Sequence, residues 1–482
     1  MRILYLDIDT LRADHLGCYG YLRNTSPHID GLAATGVRFE NVYASDAPCL
    51  PSRAAMFTGR FGIHTGIVGH GGTAADMRPV GPERGFNTMA QRGGLVWQLR
   101  RIGIYPVSVS PFAERHSAWW FCEGWREFHN PGKCGNERAD EVAPLALDWI
   151  RRNAQRDGWM LHVNLWDPHT PYRTPEDFGD PFADEPIDPW YTERLRQAQW
   201  NDFGPGTPQE PCGNMGRPVA HRRQPDQIAS MDDYRAFVNG YDTGIRYADE
   251  WVGRLLGALA DVGVLDDTAI LLTSDHGENL GELGVIGDHA VADHVTSRVP
   301  MIVRWPGLAG GRADQALHYQ ADVAATLVEL AGGEVPPWWD GRSFAPALRA
   351  GRPEGRPSVV ISQNCWSCMR GVRWEDHLFL RTWHTGLKHL PARMLFNVAD
   401  DPHEQVDLVR ERPDLADRGQ ALLDQWTAEM LGRGDADPMT TVLGEGGPFH
   451  TRGALASYAA RLRATGRARH ADFLEAHPTG LA

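Results

Sequence analysis

Four groups of residues in this chain have the types and spacing to handle an anion and a cation in one place. The first is Pro48-Cys49-Leu50-Pro51-Ser52-Arg53, where two prolines bracket a cysteine and stiffen the backbone, so that the thiol projects in one direction. Ser52 and Arg53 open a short helix whose first N–H groups favour negative charge. The guanidinium adds a planar fork suited to a sulfate or phosphate oxygen. The second group is Asp7 and Asp9, ending the apolar run from Ile3. The third is Asp275-His276-Gly277-Glu278, and the fourth is His169 within Trp166-Asp167-Pro168-His169-Thr170-Pro171-Tyr172. Adjacent carboxylate and imidazole groups suit a divalent ion, and a histidine held between prolines suits proton transfer.

Such residues need rigid elements behind them. Short apolar runs predict strands at Ile3–Ile8, Tyr105–Ser110, Trp159–Leu165, Thr268–Ser274 and Met301–Arg304. Helical spacing marks Leu95–Gly103, Ala139–Arg152 and Tyr247–Ala260, with Val142, Leu145, Leu147 and Ile150 as the core face of the second. The alternation predicts an α/β fold with a large, mixed, mostly parallel sheet flanked by helices. Ligands bind beyond the carboxyl ends of strands in such sheets, where the acids and His169 fall. Residues 1–350 read as the catalytic domain, with the polar stretch 173–230 as an insertion shaping substrate access. Residues 351–482 read as a smaller α+β subdomain, with antiparallel strands at 358–363 and 369–382 and helices over much of 412–432 and 453–476.

With 42% hydrophobic and 23% charged residues, the 482-residue chain can bury a large core. A net charge of −14 argues against nucleic acid and anionic membrane surfaces as partners, yet leaves room for an anionic ligand held by a few local cations. No run is apolar and long enough to span a bilayer, and nothing ahead of Ile3 reads as a signal peptide. Seven scattered cysteines fit reduced thiols in a cytoplasm. Cys365 and Cys368 have metal or redox spacing but no second pair, and read as incidental thiols. The seventeen tryptophans read mostly as packing residues.

Cys49-Leu50-Pro51-Ser52-Arg53 followed by Thr58-Gly59-Arg60 resembles the signature of the type I sulfatases of the alkaline phosphatase superfamily. The resemblance implies an alkaline phosphatase-like fold and oxidation of Cys49 to Cα-formylglycine by a maturation enzyme. It also implies one divalent ion, calcium favoured with manganese or magnesium possible, held by Asp9, Asp275, His276 and the residue at 49. Many members carry a second Asp where this chain has Thr10; Asp7 shares a face with Asp9 and either replaces it as a ligand or supports it by hydrogen bonding. Arg53 would orient the nucleophile, and His169 matches the histidine beside the leaving oxygen. The usual Gly-Lys-x-His element is absent, its Lys and His places falling on Pro111 and Ala113. Arg115 and His116 follow, either supplying the missing charge or lying as solvated loop residues. A second family lysine falls on Asp288 or His289 depending on the direction of counting, and only His289 has the right sign for an anion. The 393–408 segment resembles the family's carboxy-terminal part. Together these imply hydrolysis of a small anionic sulfate monoester, of a sulfated sugar or an aryl or alkyl alcohol. Phosphonate monoester or phosphodiester hydrolysis is the nearest rival, and a non-catalytic anion-binding protein with unmodified Cys49 the rival of another class.

Overall fold

A computed structural model describes residues 1–79, 93–215, 217, 221–432 and 436–481. Its main sheet has eight strands: β1 (Arg2–Ile8), β2 (Val37–Tyr43), β4 (Tyr105–Val109), β5 (Glu127–His129), β6 (Trp159–Leu165), β7 (Thr268–Thr273), β10 (Arg298–Arg304) and β11 (Arg312–Tyr319). The order across the sheet is β11-β2-β10-β7-β1-β6-β4-β5, and only β10 runs against the other seven. The short strand β3 (Asp46–Ala47) belongs to a second sheet, while β8 (Asn279–Leu280) and β9 (Ile286–Asp288) pair with each other. This is the α/β class, with the mostly parallel sheet, that the sequence predicts.

β1 lies at the centre and is covered on both faces, which is why it reads as an unbroken apolar run. Leu4, Leu6 and Ile8 point into one core beneath the helices Pro27–Thr35, Ala139–Asn153 and Met231–Asp261. Ile3 and Tyr5 point into the other, beneath Cys49–Thr58, Leu95–Arg101 and Asp322–Leu330. At roughly 25 cal/mol per Å2 of apolar surface removed from water, these two layers supply most of the driving force that holds the strand ends in place.

Two helices differ from expectation. The long helix begins at Met231, sixteen residues before the expected Tyr247, with a capping box in which Ser230 accepts from Asp233 N at 3.1 Å and Asp233 accepts from Ser230 N at 2.9 Å. In Ala139–Asn153, Leu145 is 38% exposed rather than in the core face, because the buried stripe runs through Val142, Ala143, Ala146, Leu147 and Ile150.

The second sheet has the order β15-β14-β13-β12-β3, with β12 (Ser358–Gln363), β13 (Cys368–Trp374), β14 (His377–His384) and β15 (Arg393–Asn397) antiparallel. β3 adds to its edge in parallel, pairing Asp46 with Ser362 and Ala47 with Gln363. The helix Pro413–Leu431 packs on this sheet, and Leu455–Ala464 packs against Ala468–Ala476. The polar stretch 173–230, of which residues 216 and 218–220 lie outside the described residues, contains the helix Glu193–Trp200 and several buried turns. Among the described residues no helix is long and apolar enough to cross a membrane.

Candidate active site

Every element bearing a candidate residue reaches the same edge of the main sheet. β1 ends into Asp9, β7 into Asp275 and His276, and β6 into the loop of His169. β2 leads through β3 to Cys49, the first residue of a ten-residue helix buried along its whole length. Two glycines make the approach close enough. A Cβ at Gly277 would run into the carbonyl oxygen of Val295, and one at Gly244, in the long helix, would lie 2.8 Å from Pro168 Cβ. The long helix thus presses directly on the His169 loop.

At the centre, Cys49 Sγ lies 3.1 Å from His276 Nε2. Arg53, one helical turn on, is fully buried and spends its whole fork on carboxylates. Nε and Nη2 donate to Asp7 at 2.7 and 3.0 Å, while Nη1 donates to Asp9 at 2.8 Å and to Asp275 at 2.6 Å. Thr10 supports the same carboxylates, giving its hydroxyl to Asp9 at 2.5 Å and its backbone N–H to Asp275 at 3.1 Å. Its φ of 61° is unusual for a β-branched residue and turns that N–H toward Asp275. Tyr241 of the long helix fixes this turn by donating to Thr10 O at 2.7 Å.

Three buried carboxylates therefore face a single guanidinium. Burial, with the neighbouring charge of Asp9 and against the pull of Arg53, pushes the Asp275 carboxyl up to about 6. Burial also raises Asp9, though Arg53 and Thr10 oppose it. His276 is driven down to about 3 by burial despite Asp275, so its ring is neutral, and its Nδ1 donates to Gly277 O at 2.8 Å. The Cys49 thiol is pushed well above its usual range by burial and then by Asp9 and Asp275. Asp9, Asp275, His276 and Cys49 bring one donor atom each within 4.8 Å of one another. Uncompensated negative charge, two hard oxygen donors and a neutral imidazole fit a divalent ion.

Of the two roles expected for Asp7, the contacts fit hydrogen-bonded support rather than ligation. It is not a member of that donor group: both its oxygens accept from Arg53, and His162 Nε2 lies 3.5 Å from Oδ2. Although burial raises its pKa, Arg53 and His162 hold the Asp7 carboxyl below the usual range. Strand alternation places it on the correct side of the sheet, but the guanidinium claims it first.

Cys49 opens into a cleft of about 250 Å3. His169, Thr170, Pro171, Gln224, Asp288 and His289 are among the residues that line it. Arg115 and His116 also line it, so this pair belongs to the cleft rather than to a remote loop; Arg115 stacks its guanidinium 5.5 Å over Trp166. The His289 ring lies 4.1 Å from that of His276 and 5.7 Å from that of His169. Burial works against protonation of His289, but Glu278, with Nδ1 4.0 Å from its Oε2, and Asp288 hold it up at about 9. His289 thus carries positive charge at neutral pH. Among the described residues neither Glu278 oxygen has a hydrogen-bond partner, and burial pushes that carboxyl up to about 7. His169 donates from Nδ1 to Thr170 O at 2.5 Å, which leaves Nε2 as its free nitrogen. Burial, Arg115 and His289 push its pKa well down.

Sequence reasoning did not single out His70 and His450, which complete the cleft wall with Trp366. His70 Nδ1 lies 3.0 Å from His450 Nε2, and the His450 ring stacks on Trp366 at 4.4 Å. Three hundred and eighty residues separate the two histidines, and no local motif marks either.

A family model described as Sulfatase matches residues 2–333. The chain belongs to the sulfatase family. It is 28% identical over 398 residues to iduronate 2-sulfatase of Mus musculus, covering 70% of each protein. Two solved structures share this sulfatase's fold. One, solved in complex with its substrate D-glucosamine-2-N,6-O-disulfate, has a TM-score of 0.71 at 18% identity and is matched over 90% of this chain and 99% of its own. The phosphonate monoester hydrolase of Agrobacterium radiobacter has a TM-score of 0.68 at 20% identity, over 89% and 96%. The alkaline phosphatase-like architecture is accordingly the one expected, and the chain is an enzyme rather than a non-catalytic anion binder.

Proposed function

We propose that this sulfatase hydrolyses sulfate monoesters of small alcohols or sugars, with a formylglycine made from Cys49 as its nucleophile. One observation carries the reading: Cys49 Sγ, Asp9, Asp275 and His276 converge at one sheet edge with Arg53 anchored among them. Formylglycine supplies a hydrated aldehyde, one of whose hydroxyls can attack sulfur. A divalent ion, calcium favoured, would be held by Asp9, Asp275, His276 and the residue at 49, and would supply Lewis-acid polarisation of an ester oxygen.

The chain's own residues do the rest. Arg53 locks Asp9 and Asp275 in the orientation that holds the cation and keeps the first turn of the nucleophile's helix fixed. His289, charged at neutral pH, takes a sulfate oxygen in place of a lysine. His116 and Arg115 face the same anion from the opposite wall. His169 Nε2 meets the leaving oxygen; a bound anion raises the affinity of this neutral ring for a proton, which it passes to the departing alcohol.

Phosphonate monoesters and phosphodiesters share the single negative charge of a sulfate monoester. The sparse positive charge of this cleft, with imidazoles where lysines are usual, supports activity on them as a second reading. The test is turnover of aryl sulfate, aryl phosphonate and aryl phosphodiester substrates by protein whose Cys49 peptide is shown by mass spectrometry to be converted, with Cys49→Ala as control. Higher kcat/KM on sulfate supports the first reading; a preference for the phosphorus esters selects the second; equal turnover by Cys49→Ala overturns both.

A further inference from the structure

Cys49 belongs to more than one cluster of donor atoms. One joins it with Asp9, Asp275 and His276 and another with His276 and His289; in a third, donor nitrogens of His70 and His116 and Cys49 Sγ all lie within 4.8 Å of one another. Nε2 of His70 and Nε2 of His116 are both buried and both lack a hydrogen-bond partner among the described residues. The two rings are 4.8 Å apart, and His70 is braced from behind through Nδ1 by His450, itself stacked on Trp366. A metal-binding imidazole is commonly held in this way, its other nitrogen bonded to a supporting group that sets the tautomer.

We propose that, in the chain whose Cys49 remains a thiol, Cys49, His70 and His116 form a site for a borderline divalent ion of the Zn2+ class that shares only Cys49 with the carboxylate site. Two nitrogens and one sulfur are the donors such an ion prefers, whereas calcium and magnesium prefer oxygen. Tetrahedral bond lengths place ligand atoms about 3.3–3.6 Å apart, so side-chain shifts of roughly 1 Å close the site. His70 acts as a ligand through Nε2 when its Nδ1–H donates to His450, and the fourth position opens onto the cleft, where water completes the shell. Binding balances as Cys–SH plus M2+ giving Cys–S–M+ plus H+, so one proton is released per ion and affinity rises with pH. Conversion of Cys49 removes the sulfur and with it the site. The thiol form is thereby a metal-trapped state that blocks the anion's place in the cleft.

The experiment uses full-length protein made without the maturation enzyme, its thiol state checked by peptide mass spectrometry. Zn2+ affinity is measured against a chromophoric chelator, and Co2+ is used as a spectroscopic probe. The expected result is a near-ultraviolet thiolate-to-cobalt charge-transfer band at one ion per chain. Zn2+ affinity should fall at least tenfold in His70→Gln and in His116→Gln, fall in His450→Phe, and hold within about threefold in Asp9→Asn. Thermal melts of each variant separate lost ligands from lost folding. The proposal is overturned if no thiolate band appears. It is also overturned if folded His70→Gln and His116→Gln bind as the parent does, which would put the ion on Cys49 with His276 and His289 or in the carboxylate site.

Discussion

Arg53 Nη1 lies 2.6 Å from Asp275 Oδ2, joining the helix of Cys49 to the end of β7 across 222 residues of sequence. Since the same nitrogen also reaches Asp9, one side chain fixes the distance between two strand ends and the helix that begins at Cys49. Removing it in Arg53→Ala leaves three buried carboxylates without a cation and should cost about 3–5 kcal/mol of folding stability. Arg53→Lys keeps a charge but cannot reach Asp7 twice and Asp9 and Asp275 together; it should fold and lose about 10²–10³ in kcat. Urea midpoints and steady-state rates on the two variants check this, and wild-type rates from Arg53→Lys would refute the positioning role.

The carboxylate cluster makes metal-free protein sensitive to pH. Asp275 titrates at about 6 in the fold against a usual 3.8, so the native state holds a proton that the unfolded chain releases. Its contribution is greatest below about pH 4 and is lost as the pH rises through 6. Chelator-treated protein should therefore lose stability over that interval, and Asp275→Asn should flatten the slope. Calcium at 100 times its Kd should restore about 2.7 kcal/mol at pH 7. A slope unchanged in Asp275→Asn would assign the effect elsewhere.

His169 should matter in proportion to how poor the leaving group is. For alkyl sulfates His169→Gln should lower kcat by about 10²–10⁴, the usual range for a lost proton donor. For a nitrophenyl sulfate, whose alcohol departs unaided, the loss should be within tenfold. Equal losses on both substrates would mean that the ring binds rather than transfers a proton.

His289 carries its charge up to about pH 9. As the pH rises through that value the imidazolium is lost, and KM for a sulfate ester should climb with little change in kcat. His289→Lys should move the climb upward by about one unit, toward the ordinary lysine range, and His289→Gln should abolish it. A pH-independent KM in the parent enzyme would remove His289 from the anion's shell.

Gly277 has no room for a side chain against Val295. Gly277→Ala should cost about 1–3 kcal/mol by overpacking and reduce metal affinity, because the backbone that must shift also carries Asp275 and His276. Calorimetry with and without calcium measures both.

Much of this site can be read from sequence because its residues sit at the ends of apolar runs. Asp9, Asp275 and His276 follow strands, His169 follows another, and the prolines around Cys49 are visible without any structure. Asp7 was legible only as a choice between ligand and hydrogen-bonded support, because alternation fixes the side of a strand a residue faces, not which of two nearby charges takes it. His70 and His450 were hidden because their pairing depends on the second sheet delivering a segment 380 residues away. The long helix starts at Met231, ahead of the Tyr247 at which the apolar spacing becomes clear, and carries Gly240 and Gly244 within it. Gly244 is small so that the helix can touch Pro168.

β3 is two residues long, yet it belongs to the smaller sheet and stops just short of Cys49. The smaller sheet is thereby stitched to the main one right beside Cys49, so any hinging between the two would have to break the Asp46–Ser362 and Ala47–Gln363 pairing first. A chain trimmed before β12 would lose part of the frame around Cys49.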